Sequence, residues 1–485
     1  PKVLLTNAYF YRFDAKQWAD QSPYPPYGTI YAAAMLREEG HEVALFDTNF
    51  CQAATEIKPY LEHHPDVLVI YDDGFNYLSK MCLTSMREAA LEMIRMARPI
   101  VKKIIVCSSD STDHPQLYLE AGADFIIQGE GELTLKELLS KWKEPDDSLL
   151  DALGIAYLKD GQLVKNPRRP VLRELDTLPD PAWDLIDIAS YRKVWMDKWG
   201  YFSLNIATTR GCPYKCNWCA KPIYGNRYNS RSPQRVAREM AMLIQEYGAQ
   251  HFWVCDDIFG LKPKWVQAFR DEVKQLGIKP RYKIQSRADL LLKEDNIDAL
   301  VASGLQQVWI GAESGSQAIL DAMDKGTTIE QIHEATHLLK AKGVEVCFFL
   351  QFGYLGETAA DIDKTINMVK ELVPHDIGIS VSYPLPGTKF FEIVKSQLDG
   401  KQNWEDSDDL DMMYKATFSP SFYKRLHRYV HKVFRLRQGW SQMGSLVRNP
   451  LRLNRRSLRS VAAIAYYLPA MLIDKFKLEQ LKNQV

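Results

Sequence analysis

The sequence predicts an α/β protein with an N-terminal doubly wound, flavodoxin-like parallel sheet, then a partial (β/α)6 barrel, then a helical C-terminal region. Three observations support this prediction. Short apolar runs alternate with amphipathic helical patterns over residues 1–145 and again over 201–400. Helical periodicity without strand-like runs follows over 401–485. A polar, proline-rich segment at 146–200 separates the first two regions, and we expect it to be a linker.

The first region contains five strand-like runs separated by helical patterns, which is typical of a doubly wound parallel sheet. The runs are KVLLTNAYF, EVALF, DVLVIYD, KKIIVCSS and ADFIIQG. Ligands of such sheets bind at the carboxyl ends of the strands, so the candidate site comprises residues 7–10, 47–49, 71–74, 108–111 and 129–132. No GxGxxG pattern follows the first strand, and no GxxxxGK[ST] pattern occurs, which argues against dinucleotide and phosphate-loop sites.

The second region contains six strand-like runs, two fewer than a complete parallel barrel has. The runs are YFSLNIATTR, HFWVCDDIF, RYKIQSRAD, LQQVWIGAES, VEVCFFLQFG and DIGISVSYPLPGT. An amphipathic helical stretch separates each run from the next. We therefore expect an incomplete barrel that stays open where the remaining strands would lie.

Composition and charge exclude a global preference for acidic or basic partners. The 61 Lys and Arg balance the 61 Asp and Glu, so the formal net charge is zero. No run of eighteen apolar residues and no signal-peptide pattern occurs, and on this basis we expect a cytoplasmic protein. Five of the eight cysteines are scattered in apolar segments, which indicates reduced thiols in a core.

The remaining three cysteines, Cys212, Cys216 and Cys219, lie within the stretch TTRGCPYKCNWC. Thiolates at intervals of four and three can converge on one iron-sulfur cluster from a single loop, and Gly211 and Pro213 supply turn chemistry there. Three ligands leave one iron of a four-iron cluster open to a substrate or cofactor. The alternatives are structural zinc and three unligated thiols, but no second cysteine pair or nearby histidine completes a zinc set.

With this C-x-x-x-C-x-x-C spacing, the sequence resembles the radical S-adenosylmethionine (SAM) superfamily over nearly all of residues 201–390. The resemblance implies a [4Fe-4S] cluster on the three cysteines, and SAM bound at the open iron and cleaved to a 5′-deoxyadenosyl radical. It also implies SAM contacts at the barrel strand ends, from Asp256, Asp257, Ser286, Arg287, Glu313, Ser314, Phe352, Gly353, Pro386 and Gly387. Asp256 and Asp257 depart from the Gly-Gly-Glu stretch of many members, so their roles stay open. The alternative for Arg287 is an ordinary surface arginine.

Residues 23–50 and the stretch AGADFIIQGEGELTLKELL resemble the cobalamin-binding domain that precedes the barrel in one class of these enzymes. That class includes class B methyltransferases and the anaerobic magnesium-protoporphyrin ester cyclase group. The resemblance implies cobalamin contacts from Asn7, Tyr9, Pro26, Gly28, Asp72, Asp73, Ser108, Ser109, Gly129, Glu130, Gly131 and Glu132. The D-x-H-x-x-G motif is absent, so we expect cobalt without a histidine below it, covered instead by Asn7 or Tyr9 and by residues 71–75. The alternative is a domain that binds a nucleotide or nothing.

The C-terminal region has a strong local charge. Between Met412 and Ile473 it carries twelve Lys and Arg and no Asp or Glu. One interpretation is a solvated face of helices that close the open side of the barrel. Another is contact with a membrane surface through the apolar stretch 460–473. We do not expect a nucleic-acid partner, because no recognisable binding module accompanies the charge.

These features predict a cobalamin-dependent radical SAM enzyme, and we favour a methyltransferase acting on an unactivated carbon of a small hydrophobic or lipid-like substrate. The first alternative is an oxidative cyclase or hydroxylating oxidoreductase of the tetrapyrrole cyclase type, and the second is a non-catalytic cobalamin or iron-sulfur sensor. The expected partners are a small molecule, such as a lipid or a tetrapyrrole, and an external electron donor, either flavodoxin or ferredoxin. The membrane interpretation would place the protein at the inner membrane surface. No catalytic residue is assigned.

Overall fold

The computed structural model of the chain describes residues 1–221, 223–398, 404–405, 410, 412–448 and 455–482. Parts of the predicted C-terminal region, at 401–403, 406–409, 411, 449–454 and 483–485, therefore lie outside the described residues. The described chain forms two large sheets, one after the other along the sequence, followed by helices.

Seven strands form the first sheet: β1 (Lys2–Thr6), β2 (Glu42–Phe46), β3 (Val67–Tyr71), β4 (Lys103–Cys107), β5 (Phe125–Ile127), β6 (Ile155–Lys159) and β7 (Gln162–Lys165). Their spatial order is β2-β1-β3-β4-β5-β6-β7. The first five are parallel, as the five apolar runs predict. The α-helices of this region are α1 (Ala15–Asp20), α2 (Tyr27–Glu38), α3 (Lys58–Leu61), α4 (Tyr77–Met81), α5 (Thr84–Ala97), α6 (Ser109–Asp113), α7 (Pro115–Glu120) and α8 (Glu132–Ser140).

The segment expected to be a linker, 146–200, differs from that prediction because it contains regular structure. β6 and β7 form an antiparallel hairpin that extends the first sheet, and helix α9 (Ile188–Trp199) follows. Asp160 and Gly161, with φ of 50° and 76°, form the tight turn of the hairpin. An Asp-Gly pair between alternating residues is a strong hairpin signal, so the sequence did contain the information.

Eight further strands follow: β8 (Ser203–Ile206), β9 (Thr209–Arg210), β10 (Asn229–Ser230), β11 (His251–Val254), β12 (Tyr282–Ser286), β13 (Leu305–Glu313), β14 (Glu345–Phe352) and β15 (Asp376–Val381). Six of them form a parallel sheet in the order β15-β14-β13-β12-β11-β8, with β8 and β15 at its edges. The prediction of a six-stranded, open barrel is therefore confirmed. β9 and β10 pair separately and antiparallel. The helices of this region are α10 (Pro233–Tyr247), α11 (Pro263–Gln275), α12 (Ala288–Leu291), α13 (Asn296–Ala302), α14 (Gln317–Ala322), α15 (Ile329–Ala341), α16 (Ala359–Leu372) and α17 (Lys389–Val394).

Within the described residues, the C-terminal region contains three helices: α18 (Pro420–Arg448), α19 (Arg455–Ala462) and α20 (Ile464–Lys482). One face of α18 is buried and packs against α16 and β15, so this helix belongs to the barrel core. Asp474 of α20 pairs with Arg425 at 2.7 Å and Lys432 at 2.5 Å. Part of the basic charge is thus neutralised within the fold. No helix among the described residues is long and apolar enough to cross a membrane.

Candidate functional site

The three clustered cysteines lie on one irregular loop between β9 and β10. Pairing of β9 with β10 holds the two ends of this loop together. Gly211 begins the loop with φ of 78°, and an added Cβ there would lie 2.5 Å from the carbonyl oxygen of Arg227, so only glycine fits. Cys212, Cys216 and Cys219 are half-buried free thiols. The sequence therefore folds locally to bring three thiols to one short loop.

The thiols of this loop interact electrostatically with one another. Burial raises the pKa of Cys212, and it raises the pKa of Cys219 to about 11. In the described part of the chain, no three His, Cys, Asp or Glu side chains are arranged to hold a metal ion. The thiols therefore share a loop without a ligating arrangement of their side chains. Their donor chemistry fits an iron-sulfur cluster, whose binding requires the thiols to lose their protons.

Arg287 lies beside the cysteine loop rather than at an exposed surface. Its Nη1 is 3.9 Å from Cys216 Sγ, and its guanidinium stacks 3.7 Å from the centroid of the Tyr214 ring. Asp289 accepts a hydrogen bond from its Nε at 2.9 Å. The geometry thus places a fixed cation next to one thiol, as expected of a residue that would face a bound anionic group.

The two adjacent aspartates after β11 have different partners. Asp256 is 1% exposed, and its Oδ1 accepts the backbone N–H of Thr208 at 2.6 Å and that of Thr209 at 3.1 Å. Burial raises the pKa of Asp256 to about 6. Asp257 pairs with Lys80 of the first region at 2.6 Å. Asp256 therefore fixes the chain between β8 and β9, whereas Asp257 links the two regions.

Glu313 lies at the end of β13 in the left-handed conformation, with φ of 58°, which is uncommon for a residue other than glycine. Its Oε1 accepts a hydrogen bond from Lys325 Nζ at 2.8 Å, and both side chains are buried. The predicted neighbour Ser314 donates or accepts a hydrogen bond with Thr365 at 3.2 Å. Ser286 donates to the carbonyl of Phe259 at 2.8 Å. These two serines therefore have partners within the protein.

The loop after β14 is closed by a buried carboxyl group. Gly353 donates its N–H to Glu357 Oε2 at 2.6 Å, while Glu357 Oε1 is buried and has no partner within the described residues. Burial raises the pKa of Glu357 to about 8. The other predicted residues differ in exposure: Phe352 is buried, Pro386 is partly exposed and Gly387 is exposed.

A narrow cleft lies at the carboxyl ends of β3 and β4. On one side it is lined by predicted residues, namely Asp72, Asp73, Ser108 and Ser109. On the other side it is lined by Ile223 and Tyr224, which follow the cysteine loop. The two regions of the chain thus share one cleft.

The carboxylates of this cleft also organise the backbone. Asp72 accepts the N–H of Ala8 at 2.7 Å, and burial raises the pKa of Asp72 to about 7. Asp73 accepts the N–H of Gly28 at 3.1 Å. Because Gly28 has no Cβ, α2 can approach the backbone of Asp73 closely; an added Cβ would lie 3.2 Å from Asp73 Cα. Pro26 is buried immediately before α2.

Other predicted residues of the first region do not line the cleft. Asn7 Oδ1 accepts the hydroxyl of Thr48 at 3.0 Å, and Tyr9 is buried in a separate apolar cluster. Gly129 lies at the domain junction, where an added Cβ would be 3.4 Å from the carbonyl oxygen of Ile223. An added Cβ on Gly131 would lie 2.6 Å from Cys107 Sγ, so this position has no room for a side chain.

Glu130 and Glu132 bind Arg210 instead of lining the cleft. Arg210 Nη1 lies 2.5 Å from Glu130 Oε1, and Nη2 lies 2.7 Å from Glu132 Oε1. All three side chains are almost fully buried. Glu130 also accepts the backbone N–H of Leu172. Because Arg210 precedes the cysteine loop directly, this ion triad fixes the loop to the first sheet.

Three cations of the site, Arg210, Lys80 and Lys325, are not among the residues that the sequence predicts. Their partners lie 80, 177 and 12 positions away in sequence, respectively. Arg210 is the Arg of TTRGC, two residues before the first cysteine, so its position was the available signal. Nothing in the sequence marks Lys80 or Lys325, because an ion pair between distant positions depends on the fold.

Two family models match the chain: the radical SAM superfamily over residues 206–369 and the B12-binding domain over residues 20–139. The matches enclose the cysteine loop and the first-sheet cleft. The chain therefore contains a radical SAM domain and a B12-binding domain, and it is an enzyme.

Particular relatives agree with this assignment. The chain is 29% identical to an uncharacterized methyltransferase of Pyrococcus horikoshii, over 85% of this chain and 88% of the relative. It is 25% identical to the anaerobic magnesium-protoporphyrin IX monomethyl ester cyclase of Rubrivivax gelatinosus, over 76% of this chain and 66% of the cyclase. The radical S-adenosylmethionine methyltransferase TsrM of Kitasatospora setae, solved with cobalamin and a [4Fe-4S] cluster, shares the fold with a TM-score of 0.67 at 19% identity, covering 87% of this chain and 81% of TsrM.

We predict that Arg210→Met destabilises the protein by about 3–5 kcal/mol, because it leaves two buried carboxylates without their cation. Chemical unfolding followed by tryptophan fluorescence measures the effect. The control is Arg37→Met, whose ion pair with Asp184 is largely exposed and should be worth about 1 kcal/mol or less. Equal losses in the two variants would contradict the role given to Arg210.

We predict that Glu357 makes stability depend on pH. Its pKa is raised from 4.5 to about 8 in the folded state, so the folded protein binds this proton more tightly than the unfolded chain. The contribution of protonated Glu357 to the free energy of unfolding is therefore fully present below about pH 4.5 and is lost as the pH rises towards 8. Glu357→Gln should raise the melting temperature at pH 8 and change it little at pH 5. The measurement is the melting temperature across this pH range, and the control is Glu392→Gln, which changes an exposed carboxylate. Parallel curves of melting temperature against pH for wild type and the two variants would refute the prediction.

Proposed function

We propose that this chain is a cobalamin-dependent radical SAM methyltransferase that acts on an unactivated carbon of a small hydrophobic or lipid-like substrate. One observation carries the proposal. The cleft at the strand ends of the B12-binding domain is closed by Ile223 and Tyr224, immediately after the cysteine loop. A group in that cleft would therefore lie next to a group on the loop, as methyl transfer between them requires.

The residues around the loop fit a SAM-binding iron-sulfur cluster. Cys212, Cys216 and Cys219 would ligate it, leaving one iron open. When bound, the cluster supplies the electron that cleaves SAM, and cobalamin carries the methyl group. Arg287, 3.9 Å from Cys216 Sγ, balances thiolate charge or binds a carboxylate of SAM. Glu313, held by Lys325, accepts hydrogen bonds from the ribose or amine.

The residues of the first-sheet cleft fit a cobalamin bound without a histidine. None of the residues that line the cleft is a histidine, and its polar groups are carboxylates, hydroxyls and the Lys80 ammonium. A cobalamin is larger than the cleft, so side chains at the mouth have to move when it binds. Asp72 and Asp73 remain tied to the backbone and keep the floor of the cleft in place.

The alternative function is oxidative chemistry of the tetrapyrrole cyclase type, which the similarity to the Rubrivivax gelatinosus cyclase supports. The same residues would bind the same cofactors in that case. In both functions an external donor, flavodoxin or ferredoxin, would reduce the cluster. The sensor interpretation has no support, because the family is one of enzymes.

The decisive experiment is an anaerobic incubation of the reconstituted protein with SAM, a reductant and methylcobalamin. Formation of 5′-deoxyadenosine and S-adenosylhomocysteine is measured together with the cobalamin spectrum. We expect 5′-deoxyadenosine to fall at least about a hundredfold in Cys216→Ala, because one thiolate of the cluster is lost. Cobalamin should still bind to that variant, since its cleft is intact. No cobalamin binding by the wild type would overturn the proposed methyl transfer.

We further propose that α20 contacts a membrane surface. Tyr466, Ile473 and Phe476 of this helix are 65%, 56% and 65% exposed. Their spacing of seven and three places them on one face of the helix, and an exposed apolar patch marks an interaction surface. Residues 412–463, which precede α20, carry twelve basic and no acidic side chains, so an anionic surface is the complementary partner.

Co-sedimentation with vesicles of phosphatidylglycerol tests the membrane contact in the full chain. We expect binding that is lost in the triple variant Tyr466→Ser, Ile473→Ser, Phe476→Ser. The control is Leu276→Ser with Leu338→Ser, which removes exposed apolar side chains elsewhere. Unchanged binding of the triple variant would exclude this surface. Removing α18 is unsuitable, because its buried face belongs to the core.

A further inference from the structure

The two faces of the six-stranded sheet differ in accessibility. On β12 and β13, Ile284, Val308 and Ile310 are fully buried beneath the outer helices. The alternate residues Lys283 and Trp309 remain partly exposed. Because successive side chains of a strand point to opposite faces, the partly exposed set forms the inner face of the open barrel. The inner face of the sheet is therefore partly exposed at Lys283 and Trp309.

Aromatic rings line this interior. Trp309 and Phe349 stack with their ring centroids 4.6 Å apart. An added Cβ on Gly378 would lie 3.3 Å from each of these rings, so the rings pack directly against the backbone of β15. On the other side, Tyr24 and Trp253 have centroids 5.0 Å apart. Such surfaces favour a planar or apolar molecule.

Lys283 is a cation without an ionic partner in this interior. Its Nζ lies 5.3 Å from the ring centroid of Tyr24 and 5.6 Å from that of Trp253. Within the described residues it has no ion pair and no hydrogen bond. Burial lowers the pKa of Lys283. By contrast, Lys325 and Lys80 each have a carboxylate within 2.8 Å.

Lys283 and Trp309 lie on the same face of the sheet, because Trp309 is the register partner of Gln285, two positions after Lys283. A partly buried ammonium without a counterion is costly, and ring contacts compensate only in part. A ligand anion beside Lys283 would provide the missing partner.

We propose that the barrel interior binds a substrate with a planar or apolar body and an acidic group, and that Lys283 pairs with the acidic group. Trp309 and Phe349 contact the body of that molecule. This inference rests on the proposed function and adds the chemical class of its substrate. Lys283 is accordingly a determinant of substrate specificity.

The probes are 1-pyrenebutyric acid and its methyl ester, which differ only in the acidic group. Their binding to the full-length, reconstituted protein is measured by quenching of tryptophan fluorescence. Wild type should bind the acid about tenfold more tightly than the ester, as one charge-assisted contact provides. Lys283→Met should bind the two equally, and Lys283→Arg should keep the preference for the acid.

The matched control is Lys340→Met, which removes a lysine on the outer helix α15, where Nζ donates to the carbonyl of Leu372 at 2.8 Å. This variant should keep the preference. Equal binding of the two probes to wild type, or no binding of either, overturns the proposal without any variant. A preference that persists in Lys283→Met also overturns it.

The binding measurement separates this inference from the proposed function, because it needs no turnover. A Lys283-dependent preference for the acid, without formation of 5′-deoxyadenosine and S-adenosylhomocysteine in the assay above, would overturn the proposed function alone. Formation of both products without a preference for the acid would overturn the substrate class alone.

Discussion

The buried contact of Arg210 with Glu130 and Glu132 is the constraint on which the arrangement of the two domains depends. It joins the strand just before the cysteine loop to the loop that follows the last parallel strand of the first sheet. Separating the domains would leave these desolvated and paired charges without their partners, at a cost of several kcal/mol. The ion pairs of Arg210 therefore fix the cysteine loop at a short distance from the strand ends of the first sheet. The segment between the domains adds a second contact, because Leu172 donates its backbone N–H to Glu130.

Many of the acidic side chains at the strand ends organise backbone rather than remain available to ligands. Asp256 fixes the turn before β9, Asp72 and Asp73 fix the loops beneath α2, and Glu357 closes the loop after β14. A carboxylate that accepts backbone N–H groups in a buried site makes a loop rigid. The groups left for cofactors and substrate are then few: the thiols, Arg287, Glu313, and Lys283 in the barrel interior. Rigid loops with few available groups suit an enzyme that has to control a reactive intermediate.

The sequence predicted the strands, the open barrel and the cysteine loop because each depends on neighbouring positions. Runs of apolar residues predict the strands, and the spacing of four and three between the cysteines predicts the loop. The Asp160-Gly161 hairpin was equally local, but the polar, proline-rich surroundings concealed it. The partners of Arg210 and Lys80 could not be predicted, since they depend on which strand ends the fold brings together. Lys283 read as an ordinary strand residue, and only its position among the interior rings distinguishes it.

The hairpin of β6 and β7 also changes what the first sheet presents to other molecules. Without it, the short strand β5 would expose its unpaired backbone groups at the end of the sheet, ready to pair with a strand of a second chain. The hairpin covers that strand, and the outer strand β7 is short, ends in Lys165 and follows a sharp turn. Short strands with charged ends are poor templates for further pairing. The segment between the domains therefore protects a protein at high concentration from edge-to-edge aggregation.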